Sequence, residues 1–246
     1  MVHSCEISGF SQTEQLGGFW LITLNLPYTT EPLAPFDIGC AFGFEPSKPF
    51  MRLFDQNSAD NHYSLTLLSQ SPVANNLIPD RLYFTPPTID NISADGIENG
   101  SVNLLLLGSD LACANALYLA KYKKLATQSE QRLVLLHATE QFPFAIKPAQ
   151  KMVAGLPPEA IGCSTLLEDW QCTNRLASNL GLPGCFDGDL STLLKYWIEW
   201  NQTGLETDLP WIIICCAPKE VTQQCQIACQ DQSWIKFTGV NYACLD

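Results

Sequence analysis

The residues best placed to do chemistry lie where apolar runs end. Gly108, Ser109 and Asp110 come directly after the apolar run 102–107, and Cys215, Cys216, Ala217 and Pro218 follow the run 211–214. Ligands of open parallel sheets sit beyond the carboxyl ends of the strands, and a glycine there lets backbone approach a ligand closely. Gly108 and Ser109 are therefore expected at a nucleotide phosphate, or at a structural helix start that Ser109 or Asp110 caps. The Cys216 thiol is expected to touch a flavin or nicotinamide ring, with Cys215 on the opposite face by strand alternation; a small core residue is the alternative.

Other groups read less specifically. The loop 182–189 holds Cys185 between two glycines and a proline, and serves either to line a site or as a rigid turn into the next helix. His137 ends an apolar run and is expected either at the crevice or as a satisfied core histidine, and Glu168 with Asp169 fits a solvated helix start as well as acid–base work. His3, His62 and His137 are too scattered to form a cluster by spacing. Cys225, Cys229 and Cys244 contain no CxxC pair and need a remote fourth ligand to hold zinc or an iron–sulfur cluster. The sequence contains neither a GxSxG elbow nor a GxxxxGK[ST] loop, which argues against serine hydrolase and ATPase chemistry.

The elements that must position these residues fall into two rhythms. Up to about residue 95, short β-rich pieces at 19–26, 39–44, 63–68 and 81–84 alternate with Pro, Asn, Asp and Ser, the pattern of an antiparallel sheet closed into a small barrel. The polar stretch 89–101 reads as a boundary. Beyond it, strands at 102–107, 133–137, 160–164 and 211–216 alternate with helices. The first helix carries an apolar stripe of Leu111, Ala114, Tyr118, Tyr122 and Leu125, and others are expected at 166–176, 189–200 (starting near Asp189 or Ser191) and 220–229. The expected fold is a β-barrel domain (1–95), a parallel-sheet nucleotide-binding-like α/β domain (96–230) and a C-terminal tail (231–246).

Bulk properties narrow the partners. With 246 residues and 46% hydrophobic composition the chain can bury a substantial core. Thirteen Lys and Arg against 25 Asp and Glu give a net charge of −12, which argues against a nucleic-acid backbone or an anionic membrane surface as partner. The longest apolar runs fall short of the roughly 20 residues of a membrane-spanning helix, so no membrane insertion is expected. The start MVHSCEISGF does not read as a secretion signal, and many of the 11 cysteines sit inside apolar runs, so a reducing cytoplasm is expected.

The order of these pieces resembles the ferredoxin-NADP reductase superfamily, most closely the electron-transfer subunit of dihydroorotate dehydrogenase and its relatives. LLLLGSDLACANALYLAKY looks like the family's strand, glycine loop and helix, RLVLLHATE like the next strand, and WIIICCAPKEV like the later strand with its Cys-Gly-Pro segment. KPFMRLFD stands near the family's Arg-x-Tyr-Ser flavin motif. The resemblance implies FAD or FMN held at Arg52 and Phe54, and NAD(P)H held at Gly108, Ser109, Cys216 and Pro218. Phe54 and Asp55 depart from the Tyr and Ser of the motif, Ser109 and Asp110 from the glycine-rich loop, and Ala217 from the central glycine of Cys-Gly-Pro. Cys244 matches at most the first of four cluster cysteines, so a [2Fe–2S] cluster is not expected.

The function the resemblance implies is electron transfer from NAD(P)H through a flavin to a protein acceptor, with Cys216 beside the reacting rings. The departures from the motifs carry two alternatives. One is a noncatalytic scaffold or interaction subunit on the same fold, a pseudoenzyme; the other is a nucleotide sensor.

Overall fold

The computed structural model describes residues 2–27, 36, 38–45, 50–59, 62–74, 79–85, 102–121, 129–203, 209–240 and 242. The expected boundary 89–101 lies outside them, as do Tyr122, Leu125 and Cys244.

Seven strands build the N-terminal sheet: β1 (His3–Glu6), β2 (Gly9–Glu14), β3 (Trp20–Pro27), β4 (Ala41–Gly43), β5 (Met51–Ala59), β6 (His62–Ser69) and β7 (Arg81–Thr85). Their order is β1-β7-β4-β5-β6-β3-β2, antiparallel throughout. The two outer strands are consecutive in the chain. Ile7 N–H donates to Asp80 O (2.9 Å) and Ser8 N–H to Asn25 O (2.8 Å), so the joint between β1 and β2 links the two edges and curves the sheet into a half-barrel, with β1 and β2 not paired to each other. Alternation fills the interior: Ile22, Leu24 and Leu26 of β3 and Leu65 and Leu67 of β6 are fully buried.

The second sheet is parallel. Its strands are β8 (Val102–Ser109), β9 (Ser129–Ala138), β12 (Thr173–Ser178), β13 (Phe186–Asp187), β14 (Trp211–Cys216) and β15 (Ile235–Gly239), in the order β13-β12-β9-β8-β14-β15. Edge strand β15 comes from the stretch set apart above as a tail. Helices α1 (Cys113–Lys121) and α2 (Thr165–Asp169) pack on one face, over Leu106, Leu136 and Cys216. Helices α3 (Leu190–Thr203) and α4 (Lys219–Cys229) cover the other, over Leu107, Leu135 and Cys215. The two cysteines thus face opposite ways, as alternation requires.

Three expectations are corrected. Residues 160–164 supply only β11 (Gly162–Ser164), which pairs antiparallel with β10 (Ile146–Pro148) outside the parallel sheet. The helix expected over 166–176 stops at Asp169, because Gln171 adopts a left-handed backbone (φ 60°) and the chain turns into β12. Neither Ser109 nor Asp110 caps the first helix: a short 3-10 turn, Asp110–Ala112, intervenes, and both side chains bond elsewhere. The cap of α3 is as expected, with Asp189 Oδ1 accepting from Thr192 N–H (2.8 Å) and Ser191 O–H (2.7 Å).

Helix α1 rivets the sheets together. Asn115 donates through Nδ2 to Leu53 O on β5 (3.0 Å), Gln56 Nε2 donates to the Tyr118 hydroxyl (2.6 Å), and Lys121 forms an ion pair with Asp55. Phe19 and Leu68 of the barrel join the apolar cluster beneath α1. No helix of the described residues is long and apolar enough to cross a membrane.

Candidate functional site

Helix α1 and the 3-10 turn after β8 pack on barrel strand β5, which brings Arg52 and Phe54 to the face of the parallel sheet that carries Cys216. Gly108 and Cys216 are register partners across the β8–β14 ladder. Arg52 and Phe54 lie on β5, where a bulge between Leu53 and Asp55 interrupts the pairing with β6. Phe54 packs on the cluster that contains Cys216, Cys113 and Leu106. Pro218 stands exposed at the start of α4, two residues beyond Cys216.

A residue that the sequence did not mark fills the space between these groups. Tyr242 lies with its ring under Arg52, whose guanidinium carbon is 4.6 Å from the ring centroid. Its hydroxyl donates to Asn115 Oδ1 (2.8 Å) and lies within hydrogen-bonding reach of the Cys216 thiol. Burial, with the neighbouring thiol of Cys216 adding to it and Arg52 opposing it, pushes the phenol well above its ordinary range. Asn115 therefore ties the tyrosine to the barrel with both ends of its amide, accepting from Tyr242 and donating to Leu53.

Cys216 has no exposed surface. Burial pushes its thiol upward, with Cys215 adding to the rise and the Tyr242 bond opposing it, so the group stays protonated at neutral pH. Such a thiol packs against a ring; it does not attack one. Cys185 in the loop 182–189 is likewise buried, and burial pushes it to about 11. Cys225 and Cys229 are buried against Cys215 on the other face. Among the described residues no group of three or more His, Cys, Asp or Glu side chains is arranged to hold a metal ion.

The loop after β8 has a different character. A Cβ on Gly108 would come within 2.8 Å of Leu136 Cδ2 and 2.9 Å of Ala116 Cβ, so this glycine serves the close packing of α1 on the sheet. Asp110 takes a left-handed backbone (φ 51°), and its carboxylate turns back onto the loop after β9. Oδ1 accepts from Thr139 N–H (2.7 Å), while Oδ2 accepts from Thr139 O–H (3.2 Å) and Ser109 O–H (2.9 Å). Ser109 Oγ also lies 3.0 Å from His137 Nδ1. Since Ser109 gives its proton to Asp110, the chain runs from His137 Nδ1–H through Ser109 to the carboxylate, leaving His137 Nε2 buried without a partner. His137 thus belongs to a polar network at the strand ends.

The two implied cofactors fit differently. The place between Arg52 and Cys216 holds an aromatic ring, that of Tyr242, with the Arg52 guanidinium over it and the Cys216 thiol beside it, surroundings that suit the edge of a flat aromatic ligand. The loop after β8 does not fit a pyrophosphate as it stands, because Asp110 takes the donors that an anion needs and adds a negative charge.

No protein-family model and no curated protein matches the sequence. Solved structures do match the fold. A ferredoxin-NADP+ reductase from Neisseria gonorrhoeae with bound FAD and NADP aligns with 97% of this chain and 98% of its own, at a TM-score of 0.52 and 14% identity. A cytochrome P450 reductase from Amycolatopsis aligns with 100% of this chain and 71% of its own, at a TM-score of 0.59 and 14% identity. The structure of an NADH-dependent reduced ferredoxin-NADP oxidoreductase, described in terms of flavin-based electron bifurcation, aligns with 98% of this chain and 78% of its own, at a TM-score of 0.60 and 13% identity. The chain has the two-sheet fold of the ferredoxin-NADP reductases.

Proposed function

We propose that the chain is a flavin-dependent electron-transfer protein of the reductase kind, which takes FAD or FMN into the slot beneath Arg52 and passes electrons to a protein acceptor. The observation that supports this reading is the aromatic ring of Tyr242 held between a cation on the barrel side, Arg52, and Cys216 at the strand ends. A bound flavin supplies the exchange between two-electron and one-electron chemistry. Arg52 holds the anionic or electron-rich part of the ligand, Phe54 at the β5 bulge packs against the apolar cluster that contains Cys216, and the Asn115 amide orients polar edges of the ring. Cys216 excludes water from beneath it. One structure similar in fold holds bound NADP and another is described as NADH-dependent, and a nicotinamide dinucleotide enters this reading over Gly108, Ser109 and Pro218, with Asp110 displaced.

A second reading has its own observation. Tyr242 and Asp110 occupy both ligand places with the chain's own side chains, which suits an interaction subunit that binds neither cofactor. Difference absorption spectroscopy separates the two. Stoichiometric binding of FAD or FMN that weakens about tenfold or more in Arg52→Leu is the outcome expected of the flavin reading. Absence of binding in both the folded wild type and folded Tyr242→Ala leaves the interaction reading standing.

A further inference from the structure

A cleft of about 520 Å³ opens at the amino-terminal edge of the parallel sheet, where β9, β12 and β14 begin, at the opposite end of the strands from Cys216. Its size falls in the range of about 300–1,000 Å³ typical of small-molecule sites. Gln131 of β9, Thr173 of β12 and Trp211 of β14 line it from the sheet, and Trp197, Trp200 and Asn201 line it from α3. Trp197 and Trp211 are buried edge to face with centroids 4.7 Å apart, whereas Trp200 is 58% exposed. Gly155, left-handed at φ 82°, packs against the base of that indole: a Cβ there would lie 2.5 Å from Trp200 Cβ and 2.6 Å from Cγ. The fold thus holds a large aromatic face in water beside a row of polar side chains, an arrangement that a ligand covering the ring makes favourable.

Charge limits what that ligand can be. Among the described residues no carboxylate lines the cleft, and the guanidinium of Arg132 is committed through Nη1 to Ala120 O (3.2 Å) and through Nη2 to Trp170 O (3.3 Å). The other polar groups are neutral. Gln131 and Thr173 offer both donors and acceptors, and Asn201, its Nδ2 given to Trp197 O (2.7 Å), offers Oδ1 as an acceptor. A further amide lies beneath the floor. Strand β8 runs between β9 and β14, and there Asn103 is the register partner of Trp211, on the face that it shares with Leu105. Asn103 is 1% exposed, and neither its Nδ2 nor its Oδ1 has a partner. A buried amide that lacks both partners is rare, and two neighbouring hydroxyls, one donating and one accepting, meet both needs.

We propose that this cleft binds a neutral sugar. The apolar C–H face of a pyranose ring lies on Trp200, its hydroxyls bond to Gln131, Thr173 and Asn201, and one adjacent pair reaches the Asn103 amide as the Trp211 ring yields. A nucleotide would share the stacking, but its phosphates would find no uncommitted cation here. The site is at the far edge of the sheet from Tyr242 and does not depend on the flavin reading.

The test is saturation-transfer NMR on the full chain with glucose, galactose, mannose, maltose and cellobiose, and with adenosine and uridine as flat rings that compete for the same platform. At least one sugar is expected to bind with a Kd of about 1 mM or below, to weaken about tenfold in Trp200→Ala and to keep most of its affinity in Trp200→Phe. Asn103→Leu removes both unfilled atoms, so it is expected to raise the melting temperature while weakening the sugar about threefold. Should that variant not fold, Asn201→Ala, which removes the acceptor on α3, is expected to weaken the sugar by a similar factor. The proposal is overturned by the absence of transfer to any of the sugars at about 10 mM, or by a nucleoside that binds where no sugar does. Sugar affinity unmoved by Trp200→Ala overturns it as well.

Discussion

Removing the ring of Tyr242 should tighten flavin binding by an amount that follows from its contacts. The hydroxyl bond to Asn115 contributes about 1 kcal/mol, the guanidinium of Arg52 over the ring about 1, and burial of the phenol about 2. Ordering the residue's backbone and side chain costs about 2 kcal/mol, so docking of the tyrosine is favoured by about 2 kcal/mol net. A flavin that must first displace the ring binds weaker by that amount, and Tyr242→Ala should lower the flavin Kd about 30-fold. Tyr242→Phe keeps the ring under Arg52 and loses only the Asn115 bond, so about fivefold tightening is expected. Equilibrium titration of both variants and the wild type, followed by flavin fluorescence at fixed ionic strength, measures the series. A Kd for Tyr242→Ala within about twofold of wild type, or looser, would refute competition and make the tyrosine part of the binding surface.

Other outcomes test the frame around the slot. Gly108→Ala drives a methyl group against Leu136, Ala116 and the Cys113 backbone and should cost about 1–3 kcal/mol in denaturant unfolding; unchanged stability would show that the α1–sheet contact does not need glycine. Asp189→Ala removes the α3 cap and should destabilise by about 1 kcal/mol at pH 7. Burial raises the Asp189 carboxyl, but bonds from Ser191 and Thr192 outweigh it and hold the group below its ordinary 3.8. Its stabilising effect is therefore complete above that value and fades as pH falls through the lower folded value, so the gap between wild type and Asp189→Ala should close in acid; a gap constant with pH would show that the carboxylate's charge plays no part. Cys216 should resist iodoacetamide in the native chain and react after unfolding, as read by peptide mass spectrometry, and its protection should fall in Tyr242→Ala. Rapid native labelling would place Cys216 at an open surface.

The parallel sheet was legible where its strands are apolar on both faces. Strands β8, β9 and β14 announce themselves as continuous Leu, Val and Ile runs, because a strand buried on both sides has no polar face to show. The barrel strands β1, β2 and β5 read as HSCE, GFSQTE and MRLFDQNSA, too polar to stand out, since much of each faces solvent or the junction with α1. The first residues of β12 read in the sequence as the end of a helix over 166–176; the left-handed Gln171 breaks that run, and one residue's backbone sign is invisible in a hydrophobic pattern. Of the residues described at the site, Gly108 and Cys216 were legible as strand ends, and Arg52, Phe54 and Pro218 came from the resemblance. Tyr242, Asn115 and Thr139 were not legible, because their roles arise only when distant segments meet. An asparagine inside the apolar run of α1 was the one available signal, since a buried amide must find partners.

The rivets between α1 and β5 bear on how a ligand gets in. Proteins built from two lobes commonly admit ligands by hinge closure, bending at a few residues of the connecting segments. Here three polar bridges and a shared apolar cluster span the two sheets beside the slot, so bending there would break Asn115–Leu53, Gln56–Tyr118 and Lys121–Asp55 together. Displacing the Tyr242 ring breaks far less, its bond to Asn115 and its contact with Arg52. On the flavin reading the two lobes are therefore expected to keep their mutual orientation, with the same radius of gyration in solution scattering with and without flavin, and the work of opening falls on a single ring.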